Sequence, residues 1–186
     1  QTMRGSILES KESKVKVIFV PSYLNSSDGV FNKNYYELLV GMDLTAYPSY
    51  YEPWGYTPLE SIAFSVPTIT SNLSGFGLWA MKQADHEAVE VIRRDDNNDA
   101  YAVEQMVGAT LRFMQLENAQ VENVRAAASE LSKKALWSNF FKHYERAYAE
   151  ALENSASRLN STTTEDGGNF AEQLNFVRQQ LTSNKP

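Results

Sequence analysis

Two glutamates stand eight positions apart in the segment 47–60, which reads YPSYYEPWGYTPLE. Glu52 and Glu60 flank a Pro-Trp-Gly-Tyr-Thr-Pro turn, so a carboxylate, a flat ring, a glycine and a hydroxyl share one bend. Glycine allows another group to approach the backbone closely, and the two prolines stiffen the bend. This is the set of groups that a phosphate-bearing ligand would need.

The end of this turn predicts the start of a helix. Thr57 stands where an N-cap residue is expected, and Pro58 occupies the favoured first helical position. Thr57 and Glu60 also form the T-x-x-E pattern of a capping box. The local pattern therefore leaves two interpretations of Glu60 open, as a capping residue and as a ligand contact. Glu52 has no capping role, and its alternative interpretation is a solvated loop acid.

A helix that begins at Pro58 would direct free backbone N–H groups and the positive end of its dipole into the preceding loop, which suits a phosphate or diphosphate. In a parallel sheet this helix start would lie at the carboxyl edge, where doubly wound folds bind ligands. Aromatic rings crowd the same loop: Tyr47, Tyr50, Tyr51, Trp54 and Tyr56. We expect most of them to serve packing, and one or two to face a nucleobase or sugar.

Short β-rich runs alternate with segments of helical period before Asp99, and only helical segments follow it, a pattern typical of βαβ units with added helices. The predicted strands are 15–20, 43–49, 66–71 and 88–94, and the predicted helices are 34–42, 58–65, one opening at 72–77, 100–116, 121–137 and 139–153. We predict an α/β fold with a doubly wound parallel sheet, helices on both faces, and additional C-terminal helices.

The chain of 186 residues is long enough for one domain with an appendage. We expect a nucleotide-binding domain over 1–153 and a flexible linker with a short C-terminal helix over 154–186. Within the latter, 154–169 is rich in Ser, Thr, Asn and Gly, and 170–181 could form an amphipathic helix. The start at Gln-Thr-Met is compatible with a piece of a longer protein.

Composition excludes several function classes. A net charge of −6 argues against nucleic-acid binding. The absence of cysteine excludes disulfides and thiolate zinc sites, and two histidines are too few for a histidine-rich metal centre. No apolar run approaches the ~20 residues of a membrane span, so we expect a soluble, cytoplasmic protein without a membrane partner. The sequence is compatible with an oligomer.

The run PSYYEPWGYTPLESIAFSVPTITSNLSGFG (48–77) resembles the C-terminal lobe of glycogen synthases of the animal and fungal type, and Glu52 with Glu60 matches their E-x7-E motif. The resemblance extends back through 15–25 and 34–44, and it covers residues 15–80 closely. These enzymes are retaining glycosyltransferases of the GT-B fold. The resemblance therefore implies a Rossmann-like lobe that binds a nucleoside diphosphate glucose, UDP-glucose or ADP-glucose, beside a cleft.

The resemblance also implies roles for individual residues. Tyr35 would stack on the base, and Glu60 would bind the ribose hydroxyls. Glu52 would lie beside the transferred glucose, where it positions the sugar or stabilises positive charge as the glycosidic bond breaks. Tyr35 keeps an alternative interpretation as a helix residue that packs on the sheet.

Four residues of the turn would surround the leaving group on the same argument. Gly55, Tyr56 and Thr57 would bind the diphosphate at the helix end, and Trp54 would line the donor pocket. The implied reaction transfers glucose to the 4-hydroxyl of an α-1,4-glucan with retention of configuration, and it needs neither a cofactor nor a metal. Two alternatives stay open: a retaining glycosyltransferase that builds another glycan, and a nucleotide-binding module without catalysis.

Two departures from the family pattern matter. The N-terminal lobe with its acceptor site has no counterpart in this sequence, so we expect the chain alone to be inert. The eukaryotic enzymes carry an arginine-rich helix for glucose 6-phosphate activation in the region of 117–136, where this chain has only Arg125, Lys133 and Lys134. We therefore predict that the parent protein is not activated by glucose 6-phosphate.

Overall fold

The structure is a computed structural model that describes residues 6–8, 15–83, 87–161, 172 and 175–179. These residues fall into two compact units, divided between Lys134 and Ala135. The second unit contains one long helix, α6 (Trp137–Ser161), and helical residues at 175–179. All the residues of the predicted site lie in the first unit.

The centre of the first unit is a parallel sheet of three strands in the order β3 (Thr45–Tyr47), β4 (Thr68–Ser71) and β5 (Val89–Ile92). Parallel neighbours need a crossover connection. Helix α2 (Tyr56–Ala63) connects β3 to β4, and α3 (Gly75–Ala80) connects β4 to β5. The loops that open these two helices therefore leave the sheet at its carboxyl edge.

Hydrophobic clusters cover both faces of this sheet. One cluster joins α2 and α3 to α5 (Asn118–Lys134) and includes Val89 of β5. The other joins α4 (Asp99–Met114) to Ile69 and Ile92. Because side chains alternate along a strand, Val89 and Ile92 point to opposite faces. The predicted α/β fold, a doubly wound parallel sheet with additional C-terminal helices, is confirmed.

The predicted strand 15–20 forms, but it does not belong to the parallel sheet. Strand β2 (Val17–Phe19) pairs antiparallel with β1 (Ser6–Leu8) in a separate two-stranded sheet. The side chains of β2 are exposed, at 49%, 45% and 58% for Val17, Ile18 and Phe19. The placement of this run as a buried strand of the parallel sheet was wrong, because an apolar run indicates a strand without indicating its partner.

The helices follow the predictions with shifted ends. Helix α1 (Tyr35–Leu39) is shorter than the predicted 34–42, and α6 continues to Ser161, beyond the predicted start of the linker at 154. Residues 162–171, 173–174 and 180–186 lie outside the described residues, and they include half of the predicted helix 170–181. The domain limits, 1–153 and 154–186, stay a prediction. Within the described ranges no helix is both long and apolar enough to cross a membrane.

Candidate functional site

Helix α2 begins two residues earlier than the sequence predicted. Its N-cap is Gly55, with φ 117°, and Tyr56 is its first residue, so Pro58 is its third. The prediction of Thr57 as N-cap and of a capping box with Glu60 was wrong. The reason is that Gly55 adopts a left-handed conformation, which residues other than glycine rarely adopt. This conformation lets the helix begin at the next residue. A Cβ added at Gly55 would also lie 3.1 Å from Cβ of Phe76.

Among the residues that the structure describes, no side chain caps this end of α2. The N–H groups of Tyr56 and Thr57 have no intrahelical partner, and Pro58 has no N–H to satisfy. Helix α3 differs, because the Ser74 hydroxyl accepts a hydrogen bond from the Gly77 N–H at 2.9 Å. The uncapped start of α2 is therefore a positively polarised group at the carboxyl edge of the sheet.

The carboxylate of Glu52 lies beside this helix start. Its Oε2 accepts a hydrogen bond from the Ser49 hydroxyl at 3.0 Å, and it would lie 3.6 Å from a Cβ added at Gly55. The backbone of Glu52 is held as well, because its N–H donates to Leu73 O at 3.1 Å and its carbonyl accepts from Gly75 N–H at 3.0 Å. Glu52 is thus fixed by main-chain and side-chain bonds at the start of α2.

A glycine allows this loop to lie against α3. A Cβ added at Gly75 would lie 2.2 Å from the Pro53 carbonyl oxygen, a distance that no side chain tolerates. The next residue, Phe76, donates its N–H to Trp54 O at 2.6 Å. The loop that bears Glu52 is therefore clamped to the first turn of α3 over several consecutive residues.

The Glu60 side chain does not cap α2 and instead contacts α1. Its Oε1 accepts a hydrogen bond from the Tyr36 hydroxyl at 3.0 Å, and this bond raises the pKa of Tyr36 above its ordinary value. The Tyr36 ring stacks on Phe64, with ring centres 5.4 Å apart. Tyr36 was not predicted from the sequence, because nothing in the pair of tyrosines that opens α1 indicates which ring reaches α2.

Tyr35 lies against the end of β3. Its hydroxyl is 2.8 Å from the Tyr47 hydroxyl, and its ring contacts Tyr36 edge-on at 5.3 Å. Burial, and after it the bond to Tyr47, raises the pKa of Tyr35 well above its ordinary range. Tyr35 is therefore close to the carboxyl edge of the sheet and partly packed.

Some of the remaining aromatic rings of the turn pack within the protein, and others are exposed to solvent. The Trp54 ring meets Phe76 at 90°, with ring centres 6.1 Å apart, and belongs to the cluster under α2 and α3. Tyr51 and Tyr56 are 81% and 71% exposed. Most rings of the turn thus make contacts within the protein, and these two present open faces.

Arg94 joins three segments at this edge, and it was not predicted from the sequence. Its guanidinium donates to the Pro48 carbonyl and to Asp99 Oδ1, the latter at 3.2 Å, and lies 3.4 Å from the centre of the Tyr50 ring. The Tyr50 hydroxyl also donates to Asp99 at 2.7 Å. The Tyr50 bond, and after it Arg94, lowers the pKa of Asp99. No spacing in the sequence signals contacts between such distant positions.

The site combines a positive helix end with a carboxylate beside it. Such a helix end can hold a diphosphate through backbone N–H groups, and the carboxylate can hold a hydroxyl or stabilise positive charge nearby. Among the residues that the structure describes, no three His, Asp or Glu side chains are grouped as a metal site.

Comparison with known proteins identifies the family. The model of a family described as glycogen synthase matches residues 1–182. The chain is 36% identical over 155 residues to glycogen (starch) synthase of Dictyostelium discoideum. The aligned region covers 82% of the chain and 18% of that protein. It is 34% identical over 151 residues to glycogen (starch) synthase isoform 2 of Saccharomyces cerevisiae, with 78% and 21% covered.

A third relative gives the same result. The glycogen (starch) synthase of Caenorhabditis elegans is 33% identical over 153 residues, with 81% of the chain and 23% of that protein covered. The chain spans about a fifth of the length of these curated relatives. The family match extends over nearly the whole chain, and the chain therefore belongs to the glycogen synthase family.

Proposed function

We propose that the chain is the donor-binding lobe of a retaining glycosyltransferase, which transfers glucose from a nucleoside diphosphate glucose to the 4-hydroxyl of an α-1,4-glucan. Its membership of the glycogen synthase family supports this activity. The observation that supports it most within the structure is the Glu52 carboxylate beside Gly55, at the uncapped start of α2. The choice between UDP and ADP and a cytoplasmic location stay predictions.

The leaving group would bind at the start of α2. The N–H groups of Tyr56 and Thr57 would donate to the diphosphate, and Gly55 leaves room for it to approach the backbone. A departing nucleoside diphosphate gains negative charge, which a fixed helix end stabilises without reorganisation. Glu52, on the same side of the loop, would face the glucose as positive charge develops at its anomeric carbon.

The nucleoside would lie toward α1. Glu60, which already accepts a bond from Tyr36, would accept bonds from the ribose hydroxyls. Tyr35 would contact the base from its position near the end of β3, and Trp54 would back the pocket from within the hydrophobic cluster. The α-glucan acceptor would contact the rest of the parent protein.

The full-length parent protein tests this function. We expect it to incorporate labelled glucose from UDP-glucose or ADP-glucose into glycogen, and to yield a product that an α-1,4-specific amylase degrades. Transfer into an amylase-resistant glycan would show another glycan product. Nucleotide binding without transfer to any acceptor would show a binding module.

The substitution Glu60→Gln should weaken binding of the nucleoside diphosphate about tenfold, because a charged acceptor for two hydroxyls is replaced by a neutral one. Calorimetry with UDP or ADP measures this loss. A 2′,3′-dideoxy analogue of the same nucleotide should bind the wild type and the variant equally, since it has no ribose hydroxyls.

The matched control for this experiment is Glu104→Gln, on the exposed side of α4, which should leave both affinities unchanged. Equal weakening of the nucleotide and its dideoxy analogue by Glu60→Gln would contradict the ribose role.

Glucose 6-phosphate should not activate the full-length protein. Arg125 is the one arginine of α5, and both of its terminal nitrogens donate hydrogen bonds to Met42 O, at 3.2 and 3.3 Å. Lys133 pairs with Glu130. These cations do not form the arginine cluster that the resemblance associates with activation. Initial rates measured with rising glucose 6-phosphate should stay constant, and a several-fold increase would contradict the prediction.

A further inference from the structure

We propose that Arg94 is a positioning residue that orients the Glu52 carboxylate through Ser49. The inference rests on the proposed function, because it assumes that Glu52 acts in glucose transfer. Arg94 and Ser49 would support the Glu52 carboxylate without contacting the substrate. Neither the E-x7-E motif nor the turn sequence indicated this role.

The first step is the contact of Arg94 with both neighbours of Ser49. One terminal nitrogen donates to the Pro48 carbonyl, and the guanidinium carbon lies over the Tyr50 ring, 3.4 Å from its centre. The side chain is 13% exposed, so these contacts are largely shielded from water. Arg94 therefore fixes the chain immediately before and after Ser49.

The second step is the set of bonds made by Ser49 itself. Its N–H donates to Tyr47 O at 2.9 Å, and its carbonyl accepts a bond from the Ser71 hydroxyl at 2.6 Å. Its own hydroxyl donates to Glu52 Oε2 at 3.0 Å. Because its backbone is held on both sides, Ser49 has a fixed hydroxyl group, and this hydroxyl orients one carboxylate oxygen of Glu52. Arg94 thereby acts on Glu52 through Ser49.

The contacts of Arg94 need the shape of an arginine side chain. A planar guanidinium can donate to Pro48 and Asp99 along its edge while its face lies on Tyr50, whereas an ammonium group cannot reproduce this geometry. Its Nε is buried and has no hydrogen-bond partner among the described residues, so the terminal nitrogens make the polar contacts of the group. The backbone of Arg94 is held separately, because its N–H donates to Asn72 at 2.6 Å.

This separate backbone anchor makes Arg94→Lys a usable test, since the variant keeps the main-chain bond and the charge. In the full-length protein, Arg94→Lys and Ser49→Ala should each lower kcat for glucose transfer about tenfold. The Kd for UDP or ADP should stay within about twofold of the wild type, because the helix start that binds the diphosphate is intact.

Coupling between the two variants distinguishes positioning from a general structural effect. If both act through Glu52, the double variant Arg94→Lys/Ser49→Ala should lose no more kcat than either single variant. Ser49→Thr, which keeps the hydroxyl, should retain most of the wild-type kcat. Arg93→Lys is the matched control, because Arg93 is the exposed neighbour of Arg94 and should leave kcat unchanged. An unchanged kcat in Arg94→Lys, or additive losses in the double variant, would overturn the proposal.

A crystal structure of Arg94→Lys gives a readout that does not depend on activity. The Ser49 hydroxyl should have moved out of hydrogen-bond range of Glu52, and a retained 3.0 Å bond would overturn the proposal. If the wild type transfers no glucose, the proposed function fails while this structure still decides the positioning. If Arg94→Lys does not fold, crystal structures of Ser49→Ala and Ser49→Thr replace it: the Glu52 carboxylate should turn only in Ser49→Ala, and an unmoved carboxylate there would overturn the proposal.

Discussion

Replacing Glu52 with glutamine in the full-length protein should lower kcat for glucose transfer by about 10²- to 10³-fold. Glutamine has nearly the same shape, and its carbonyl oxygen can still accept the bond from Ser49. The substitution therefore removes the negative charge and leaves the geometry of the loop in place. That charge matters most when the glycosidic bond breaks, so the Kd for UDP or ADP should change little.

Initial rates with saturating donor and glycogen measure the effect, and calorimetry measures nucleotide affinity. Glu104→Gln removes a charge from an exposed position of α4 and should retain the wild-type rate. A Glu52→Gln protein that keeps more than about a third of the wild-type kcat would contradict a role in the transition state. A loss of nucleotide affinity that equals the loss of kcat would instead indicate a role in binding.

The fold was predictable because local patterns and topology agree. The strands β3, β4 and β5 lie inside the predicted runs 43–49, 66–71 and 88–94, because these runs contain Val, Ile, Thr and Tyr, which favour strands, and turn residues lie between them. The partner of β2 was not predictable in the same way. Pairing depends on which other segment is available, and an apolar run of this length contains no information on that choice.

The sequence predicted which segment forms the site, but it did not predict most of the individual contacts within the site. The glutamate pair and the helix start lie at the expected edge of the sheet. Glu60 bonds to Tyr36 across 24 positions, and Arg94 bonds to Pro48 across 46, so neither contact leaves a local signal. The helix start was misplaced because threonine followed by proline is a common N-cap pattern, whereas the left-handed conformation of Gly55 decided the outcome.

Replacing Gly75 with alanine should lower the free energy of unfolding by about 3 kcal/mol. The new Cβ would meet the Pro53 carbonyl oxygen at 2.2 Å, and a backbone atom cannot yield as the end of a flexible side chain can. The loop must move away from α3, which breaks the bond from Gly75 N–H to the Glu52 carbonyl.

Gly108→Ala is the matched control, because it makes the same chemical change within α4. A Cβ there would meet only Nη1 of Arg112, at 3.3 Å, at the end of a long side chain. Alanine in a helix interior is favoured over glycine by roughly 0.5–1 kcal/mol, so this variant should be slightly more stable than the wild type. Urea unfolding of the two variants should shift the midpoint in opposite directions. Equal stability of Gly75→Ala and the wild type would mean that the loop is not clamped against α3, and the fixed position of Glu52 would then need another cause.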